Sequence, residues 1–228
     1  MAERHMAKRE PKLKTKRLLI RPMTDAELAE KIGHTDVPEL KAAYGEMLEG
    51  CRNEPGNRNW YTAWCIALKT APEQPIGDLC FKGAPVKGSV EIGYGMEPGY
   101  EGQGYMTEAV KALTMWAQSQ EDVYIVFAET APDNAASQRV LEKAGFTPCT
   151  GEAAMGEEGP RFRSDRLMPS YLAIYLCLGV SMGASVGGPL GSVGIGMCLG
   201  LSLGVALGVL LDRGEKKHRR EVTGEESE

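Results

Sequence analysis

The segment that decides the fold is residues 100–109, which reads YEGQGYMTEA. It lies between a predicted strand, Ser89–Met96, and residues 107–118, whose apolar positions have helical spacing. A glycine-rich turn at a helix N-terminus can bind an anion, because the first helical N–H groups lack partners and carry the positive end of the helix dipole. Gly102 and Gly104 have no Cβ, so a phosphate group can approach their backbone closely.

Two known phosphate-binding motifs do not fit this turn. It lacks the Lys-Ser/Thr pair of a Walker loop and the third glycine of a dinucleotide fingerprint. On spacing alone, a strand-to-helix turn without any ligand therefore stays open. Further along the chain come residues 134–137, which read NAAS, and residues 139–146, which read RVLEKAGF, with Gly145 placed to end a helix.

Composition excludes several classes of function. The net charge of −5 and the pI near 5.4 argue against nucleic acid as a partner. The six cysteines show no CxxC spacing and there are only three histidines, so we expect neither a metal site nor a disulfide framework. Residues 1–16 are basic without an apolar core, which is not the pattern of a signal peptide. We therefore expect the domain to work in the reducing cytoplasm.

The C-terminal part has a different composition. Residues 167–211 contain no charged residue, and CLGVSMG at 177–183 returns as CLGLSLG at 198–204. Glycines recur every four residues, which lines one helix face with small side chains, as in membrane helix packing. The turn-rich residues 187–192 separate two stretches, 171–186 (extending back toward Met168) and 193–211, each of which we expect to be long enough to cross the hydrocarbon core of a membrane.

This pattern predicts a hydrophobic two-helix hairpin in a membrane. Basic residues flank both ends, so by the positive-inside rule both ends and the preceding domain face the cytoplasm. They are Arg161, Arg163 and Arg166 before the stretch, and Arg213, Lys216, Lys217, Arg219 and Arg220 after it. The glycine faces could also form a homo-oligomer. The alternative is a glycine-rich tail that packs or oligomerises without lipid. We expect residues 1–11 to be flexible and 212–228 to be a polar disordered tail.

Residues 12–166 show alternating strand and helix signals. The predicted strands are 17–22, 60–69, 77–83, 89–96 and 123–130, with a closing hairpin of 146–149 and 161–167. The predicted helices are 25–33, 38–50, 104–118 and 134–144. Thr24 and Asp36 are the expected N-caps of the first two helices.

Over residues 12–166 the chain resembles the GCN5-related N-acetyltransferase (GNAT) family, in particular its ribosomal-protein-type N-terminal acetyltransferases. The resemblance rests on TKRLLIRP at 15–22, PIG at 75–77, EIGY at 91–94, the glycine turn, and the NAAS and EKAGF segments, which occur in the family's order. It implies an α/β (α+β) fold, with a mixed, mostly antiparallel sheet flanked by helices. The implied activity is transfer of an acetyl group from acetyl-CoA to a primary amine.

The resemblance also implies where acetyl-CoA binds. The backbone of Tyr94, Gly95 and Met96 would hold the pantetheine arm and polarise the acetyl group, and Asn134 would contact the arm. Backbone N–H groups in the turn would hold the pyrophosphate; the residues are Glu101, Gly102, Gln103, Gly104, Tyr105 and Met106. Two positions depart from the family, since Glu101 stands where Arg or Gln is common and Met106 where Gly or Ala is common.

The catalytic candidates follow from the same resemblance. Glu91 is the expected general base, with Glu129 as a lesser candidate, and Ser137 is the expected acid for the leaving thiolate. The alternatives are that Glu91 pairs with an arginine or lies exposed, and that Ser137 bonds to backbone in the first helical turn. Phe146 occupies the position where other branches of the family use a tyrosine acid.

The acceptor pocket is expected from the early helices and the loop that follows them. Glu46, Glu49, Trp60 and Trp64 are its candidate lining residues, since acidic groups attract an ammonium substrate. The sequence leaves two other functions open. One is a non-catalytic acyl-CoA-binding or scaffold domain tethered to an oligomerising membrane hairpin, and the other is a channel formed by the hairpin itself.

Overall fold

A computed structural model of the chain describes residues 11–167, 169–189 and 191–223. The predicted flexible segment 1–11 therefore lies outside the described residues except for its last one, as do Met168 and residues 224–228 of the predicted tail. The described chain forms two compact units, and the boundary between them along the sequence falls between Asp165 and Arg166.

The first unit is built around one eight-stranded sheet. Its strands are β1 (Leu13–Lys14), β2 (Leu18–Pro22), β3 (Ala63–Leu68), β4 (Ala71–Phe81), β5 (Ser89–Met96), β6 (Ile125–Glu129), β7 (Thr147–Pro148) and β8 (Arg161–Asp165). Their order in space is β1-β2-β3-β4-β5-β6-β8-β7. Every neighbouring pair is antiparallel except β5 and β6, which run parallel. The predicted mixed, mostly antiparallel sheet is confirmed.

Five helices flank the sheet. They are α1 (Asp25–His34), α2 (Pro38–Asn53), the short α3 (Arg58–Tyr61), α4 (Tyr105–Gln118) and α5 (Ala135–Ala144). Thr24 caps α1 as predicted, in a capping box with Glu27 that Arg21 reinforces. Hydrogen bonds from Arg21 lower the pKa of Glu27 to about 2 against the opposing effect of burial. The expected cap at Asp36 is wrong, because the N-cap residue of α2 is Val37, whose side chain makes no capping hydrogen bond. The first turn of α2 contains a proline, which has no N–H group to satisfy.

The two faces of the sheet carry different cores. The main core contacts α4 and α5 and contains apolar side chains such as Ile66, Val90 and Leu113, all at most 5% exposed. A smaller cluster on the opposite face contains Cys65 and joins the sheet to α1 and α2. Because strand side chains alternate between faces, each residue of β5 faces one pair of helices or the other.

The second unit is a helical hairpin of α6 (Tyr171–Gly187) and α7 (Val193–Thr223). The two predicted hydrophobic helices are present and begin where the sequence placed them. The boundary predicted at residue 211 is different, since α7 continues through residues 212–223. That extension is rich in Lys, Arg and Glu, which are good helix formers, and Lys217 lies 3.7 Å from Glu221 one turn on.

Glycines allow the two hairpin helices to approach backbone to backbone. A Cβ added to Gly179 or Gly183 would collide with the carbonyl groups of Gly200 or Gly196 across the hairpin. The glycine faces predicted to mediate a homo-oligomer are thus occupied within one chain, and an oligomer would need another surface. Asp212 closes the open end, because its carboxylate accepts hydrogen bonds from the N–H groups of Tyr171 (2.8 Å) and Leu172 (3.4 Å) at the start of α6.

We expect Gly183→Ala to destabilise the hairpin by about 1–3 kcal/mol, because the new methyl group would push the two backbones apart. Gly194→Ala is the matched control, since its Cβ would meet only the Ser192 hydroxyl at 3.9 Å. Thermal unfolding of the full chain in detergent, followed by circular dichroism, measures the effect. Equal melting temperatures for the two variants would contradict the close packing.

Candidate functional site

The sheet opens between its two parallel strands. β5 and β6 are in register from Ser89–Ile125 to Ile92–Ala128, and their pairing ends there. β5 nevertheless continues to Met96, which pairs with Gly77 of β4, while Glu129 at the end of β6 pairs with Arg161 of β8. The side of residues 93–96 that faces β6 is therefore outside the ladder. Backbone polar groups along such an edge are available to a ligand.

The glycine turn lies directly after this opening. Gly102 and Gly104 have φ of +70° and +77°, a left-handed conformation that other residues adopt only at a cost. Gly104 is the N-cap of α4, whose first N–H groups have no partner inside the helix. Glu101 is exposed, and the Met106 side chain is only 7% exposed in the core. Only the backbone of Met106 could therefore contact a ligand.

Arg17 and Glu108 fix the turn to the rest of the domain, and sequence reasoning missed both. The Glu108 carboxylate accepts hydrogen bonds from the Arg17 backbone N–H and Nε, both at 2.8 Å, and from the Thr15 hydroxyl. Arg17 also donates to the carbonyl oxygen of Gln103 at 2.9 Å, and its guanidinium lies 4.4 Å from the ring centroid of Tyr105. The Arg17–Glu108 ion pair thus anchors the turn at the Gln103 carbonyl and the Tyr105 ring.

Two predicted site residues meet across the opening. The Tyr94 hydroxyl lies 2.7 Å from Oγ of Ser137 and 3.3 Å from the Ser137 carbonyl oxygen. Asn134 is the N-cap of α5 and accepts a hydrogen bond from the Ser137 N–H at 3.0 Å. The Ser137 side chain therefore points to β5 and not to the backbone of its own helical turn, while Asn134 has a structural role in addition to the predicted contact.

Glu91 lies on the other face of β5. Asp78 pairs with both Cys65 and Gly95, so these positions share the face that packs on α1 and α2. Glu91 precedes Gly95 by four residues and faces the same way, whereas Tyr94 faces α4 and α5. The candidate base and the candidate acid are therefore on opposite sides of the strand that borders the opening.

Ion pairs hold both candidate bases. Glu91 lies 2.6 Å from Nζ of Lys82, which is also 2.7 Å from Glu158. Although burial would lower the pKa of Lys82, the pairs with Glu158 and Glu91 raise it above its usual range. Glu129 is more constrained, because its side chain is 3% exposed and it pairs with Arg161. Burial raises the pKa of Glu129, but bonds from the Glu158 N–H and Arg161 lower it overall.

Of the two predicted acceptor-lining tryptophans, Trp64 is contradicted by its burial, whereas Trp60 is only partly buried and its role stays a prediction. Trp64 is fully buried and its ring lies 4.7 Å from that of Trp116, while Trp60 is 4.7 Å from Phe81. Trp64 shares the core face with Ile66, so it points away from α1 and α2. Glu46 and Glu49 lie exposed on α2.

A cavity of about 450 Å³ adjoins the α1 face of the sheet instead. Its polar walls carry more negative than positive side chains. They are Glu27, Glu30, Glu73 and Glu97 against Arg21 and Lys31, together with His34. At its edge, Lys31 lies 3.2 Å from both Asp78 and Glu97, and Tyr44 donates a hydrogen bond of 2.8 Å to Asp78. An ammonium group is therefore favoured on this face.

The thiols close to the opening do not have the properties of nucleophiles. Burial raises the pKa of Cys80 to about 11, with a smaller contribution from Asp78, and burial also raises the pKa of Cys65. A thiol is reactive as its thiolate, so both behave as inert core residues. Among the described residues, no group of His, Cys, Asp and Glu side chains is arranged to hold a metal ion.

Comparisons with known proteins agree on one family. Residues 17–147 match the family model described as an acetyltransferase (GNAT) domain. The chain is 37% identical over 87 residues to the uncharacterized N-acetyltransferase YjdG of Bacillus subtilis, a match that covers 38% of this chain and 51% of that protein. Matches to such curated relatives span about half of their length or less.

Solved structures show the same fold. An acetyltransferase from Agrobacterium tumefaciens strain C58 is 24% identical with a TM-score of 0.54, over 68% of this chain and 94% of that chain. The apo ribosomal L7/L12 alpha-N-protein acetyltransferase RimL is 18% identical with a TM-score of 0.50, again over 68% and 94%. At these identities the likeness shows the fold, and the ribosomal-protein branch stays a prediction.

We expect Arg17→Ala to weaken coenzyme A binding by roughly tenfold, because one charge-assisted contact and the support of the turn are lost. Lys111→Ala is the matched control, since Lys111 is an exposed cation of α4, the helix that follows the turn. Calorimetry on the full chain in detergent gives the two affinities. Wild-type affinity in Arg17→Ala, with unchanged melting temperature, would contradict a role of Arg17 at the turn.

Proposed function

Residues 17–147 place this chain in the acetyltransferase (GNAT) family, and from that membership we propose that it transfers an acetyl group from acetyl-CoA to a primary amine. The observation that carries the proposal is the opening between β5 and β6, bordered by the glycine turn at the start of α4. Acetyl-CoA has an extended arm followed by a pyrophosphate, so it needs an unpaired strand edge with an anion site next to it. Both are present side by side.

The residues divide the binding of acetyl-CoA between them. The backbone of Tyr94, Gly95 and Met96 borders the opening and would hold the pantetheine arm beside Asn134. The turn would bind the pyrophosphate through its N–H groups, supported by Arg17. Because the contacts are mainly made by backbone, the exposed Glu101 side chain can point to solvent without losing the site.

The acceptor would approach from the face that carries α1 and α2. That face holds Glu91 and the acidic cavity, and it favours a protonated amine at first encounter. Glu91 would then take the amine proton, directly or through water, after its contact with Lys82 loosens. A peptide or protein N-terminus and a small-molecule amine both satisfy this chemistry.

We expect the full chain to bind acetyl-CoA and to release coenzyme A thiol when a primary amine is added. Glu91→Gln and Ser137→Ala should each lower kcat by about a hundredfold and keep the affinity for coenzyme A. Glu142→Gln is the control for Glu91, since it removes an exposed carboxylate from α5. Calorimetry measures binding and a thiol-reactive dye follows turnover.

An acyl-CoA-binding role without turnover is the second candidate. The ion pair of Glu91 with Lys82 favours it, because this contact would have to break before the carboxylate could reach the proton of an amine. Binding of acetyl-CoA without thiol release across a panel of peptides, polyamines and amino sugars would select this candidate. Failure to bind either ligand would overturn both.

We further infer that residues 167–211 anchor the protein in a membrane. By length and composition α7 includes one span, Val193–Val222, that can cross a bilayer, and α6 has 17 residues, the short end of the range. Large apolar side chains on the hairpin are exposed to the surroundings, for example Met182 at 67% and Leu203 at 62%. The basic residues that flank the uncharged stretch, Arg166 before α6 and Arg213 within α7, lie at the same end of the hairpin, where Asp212 bonds to the start of α6, which favours the cytoplasmic side for both.

We expect the full chain to float with phosphatidylcholine–phosphatidylglycerol vesicles and to resist an alkaline carbonate wash. Leu203→Arg should reduce flotation strongly, because an arginine at the centre of a span costs about 3 kcal/mol. Val86→Arg is the matched control, since Val86 is 69% exposed on the first unit. Equal flotation of both variants would contradict insertion of α7.

A further inference from the structure

The hydrogen bond between Tyr94 and Ser137 joins two elements that are far apart in sequence. Tyr94 belongs to the part of β5 whose β6 side is unpaired, and Ser137 lies in the first turn of α5. The contact therefore joins β5 to α5 across the opening and involves Ser137, the candidate acid, directly. At 2.7 Å it is a short hydroxyl–hydroxyl bond, and it is shorter than the 3.3 Å approach to the Ser137 carbonyl.

We propose that Tyr94 positions Ser137 and supplies the proton that Ser137 passes to the departing thiolate. When Tyr94 donates its hydrogen bond to Oγ, the Ser137 hydroxyl hydrogen is left to point into the opening. Ser137 would touch the sulfur, and Tyr94 would act through Ser137. The inference rests on the proposed acetyl transfer and assigns a role to Tyr94 beyond a backbone contact.

Acidity explains why a tyrosine is needed behind the serine. A serine hydroxyl is a far weaker acid than a thiol, whereas a phenol, with an ordinary pKa near 10, is close to a thiol near 8.5. Burial raises the pKa of Tyr94, against a smaller opposing effect of the Ser137 bond, so the phenol keeps its proton at neutral pH. The family's alternative position is filled by Phe146, which is 3% exposed and has no proton to give.

The proposed step balances in atoms and charge. The deprotonated amine attacks the acetyl carbonyl carbon, the C–S bond breaks, and sulfur leaves with the electron pair. The nitrogen, which still carries two hydrogens, releases one of them to solvent as the amide forms. The thiolate takes the proton of the Ser137 hydroxyl while Ser137 Oγ takes that of Tyr94. Tyr94 is half-buried, so the phenolate can recover a proton from solvent. The products are the amide and coenzyme A thiol.

Tyr94→Phe tests the proposal, because it removes one oxygen atom and leaves the packing of the ring. We expect kcat to fall by about ten- to a hundredfold with the KM for acetyl-CoA unchanged. Ser137→Ala combined with Tyr94→Phe should be no slower than Ser137→Ala alone, since both act in one chain of proton transfer. Tyr61→Phe, a partly buried tyrosine of α3, is the matched control.

A binding readout makes the test independent of turnover. At pH 9, where much of the thiol is ionised, we expect the full chain to bind coenzyme A roughly tenfold more tightly than desulfo-coenzyme A, through one charge-assisted bond from Ser137. Tyr94→Phe and Ser137→Ala should both reduce this ratio severalfold. Affinity for the desulfo analogue should not change, whereas a merely structural role would weaken both ligands together.

The outcomes separate this inference from the proposed function. An active wild-type chain with an equally active Tyr94→Phe variant, and an unchanged coenzyme A to desulfo-coenzyme A ratio, would overturn the role of Tyr94 alone. Equal loss of affinity for both ligands in Tyr94→Phe would also overturn it. A wild-type chain that binds neither ligand would overturn the proposed function and this inference together.

Discussion

The site depends on the point at which two parallel strands stop pairing. β5 leaves β6 after Ile92 and stays with β4 as far as Met96. This requires close approach on the β4 side, where a Cβ on Gly77 would lie 3.1 Å from the Met96 Cα and even closer to the Gly95 carbonyl. Because residue 77 is a glycine, the last residues of β5 can stay paired with β4 while their side toward β6 remains unpaired. The glycine turn and the N-terminus of α4 then follow within a few residues, so one divergence places the unpaired edge of β5 beside the turn that is proposed to bind the pyrophosphate.

The same strand separates two chemistries. Alternation sends Glu91 to the face of α1 and α2, where carboxylates and ammonium groups are interleaved around Lys31, Asp78 and Lys82. It sends Tyr94 to the face of α4 and α5, where its hydroxyl meets an uncharged partner. Proton removal from an ammonium is helped by negative surroundings, and proton donation to a thiolate needs a neutral acid close by. In the proposed reaction, the unpaired edge of β5 between the two faces would give Glu91 and Ser137 the different environments that these two steps need.

Short sequence motifs predicted most of the fold, whereas the contacts that were not predicted join residues far apart in sequence. The glycine turn, the Thr24 cap and the αL Gly145 at the end of α5 are written in short stretches, and the structure has all three. The Arg17–Glu108 pair joins residues 91 positions apart, so no periodicity could indicate it. Trp64 was misplaced because pattern alone does not say which face of β3 meets the acceptor. Glu91 was named as a candidate base, a role that stays a prediction, and its Lys82 partner follows only from the register of β4 and β5.

The hairpin obeys a different rule from the sheet unit. Gly179, Gly183 and Gly200 bring the backbones together, so the large side chains are displaced outward and the hairpin cannot cover them itself. In water, such an arrangement exposes apolar surface on every side, whereas in lipid it costs nothing because hydrocarbon surrounds it. Asp212 stands at the end of the uncharged stretch. Its carboxylate accepts hydrogen bonds from N–H groups at the start of α6 that have no partner within the helix. Close glycine packing, outward apolar side chains and hydrogen bonds from the α6 N-terminus to Asp212 together support the proposed membrane anchor.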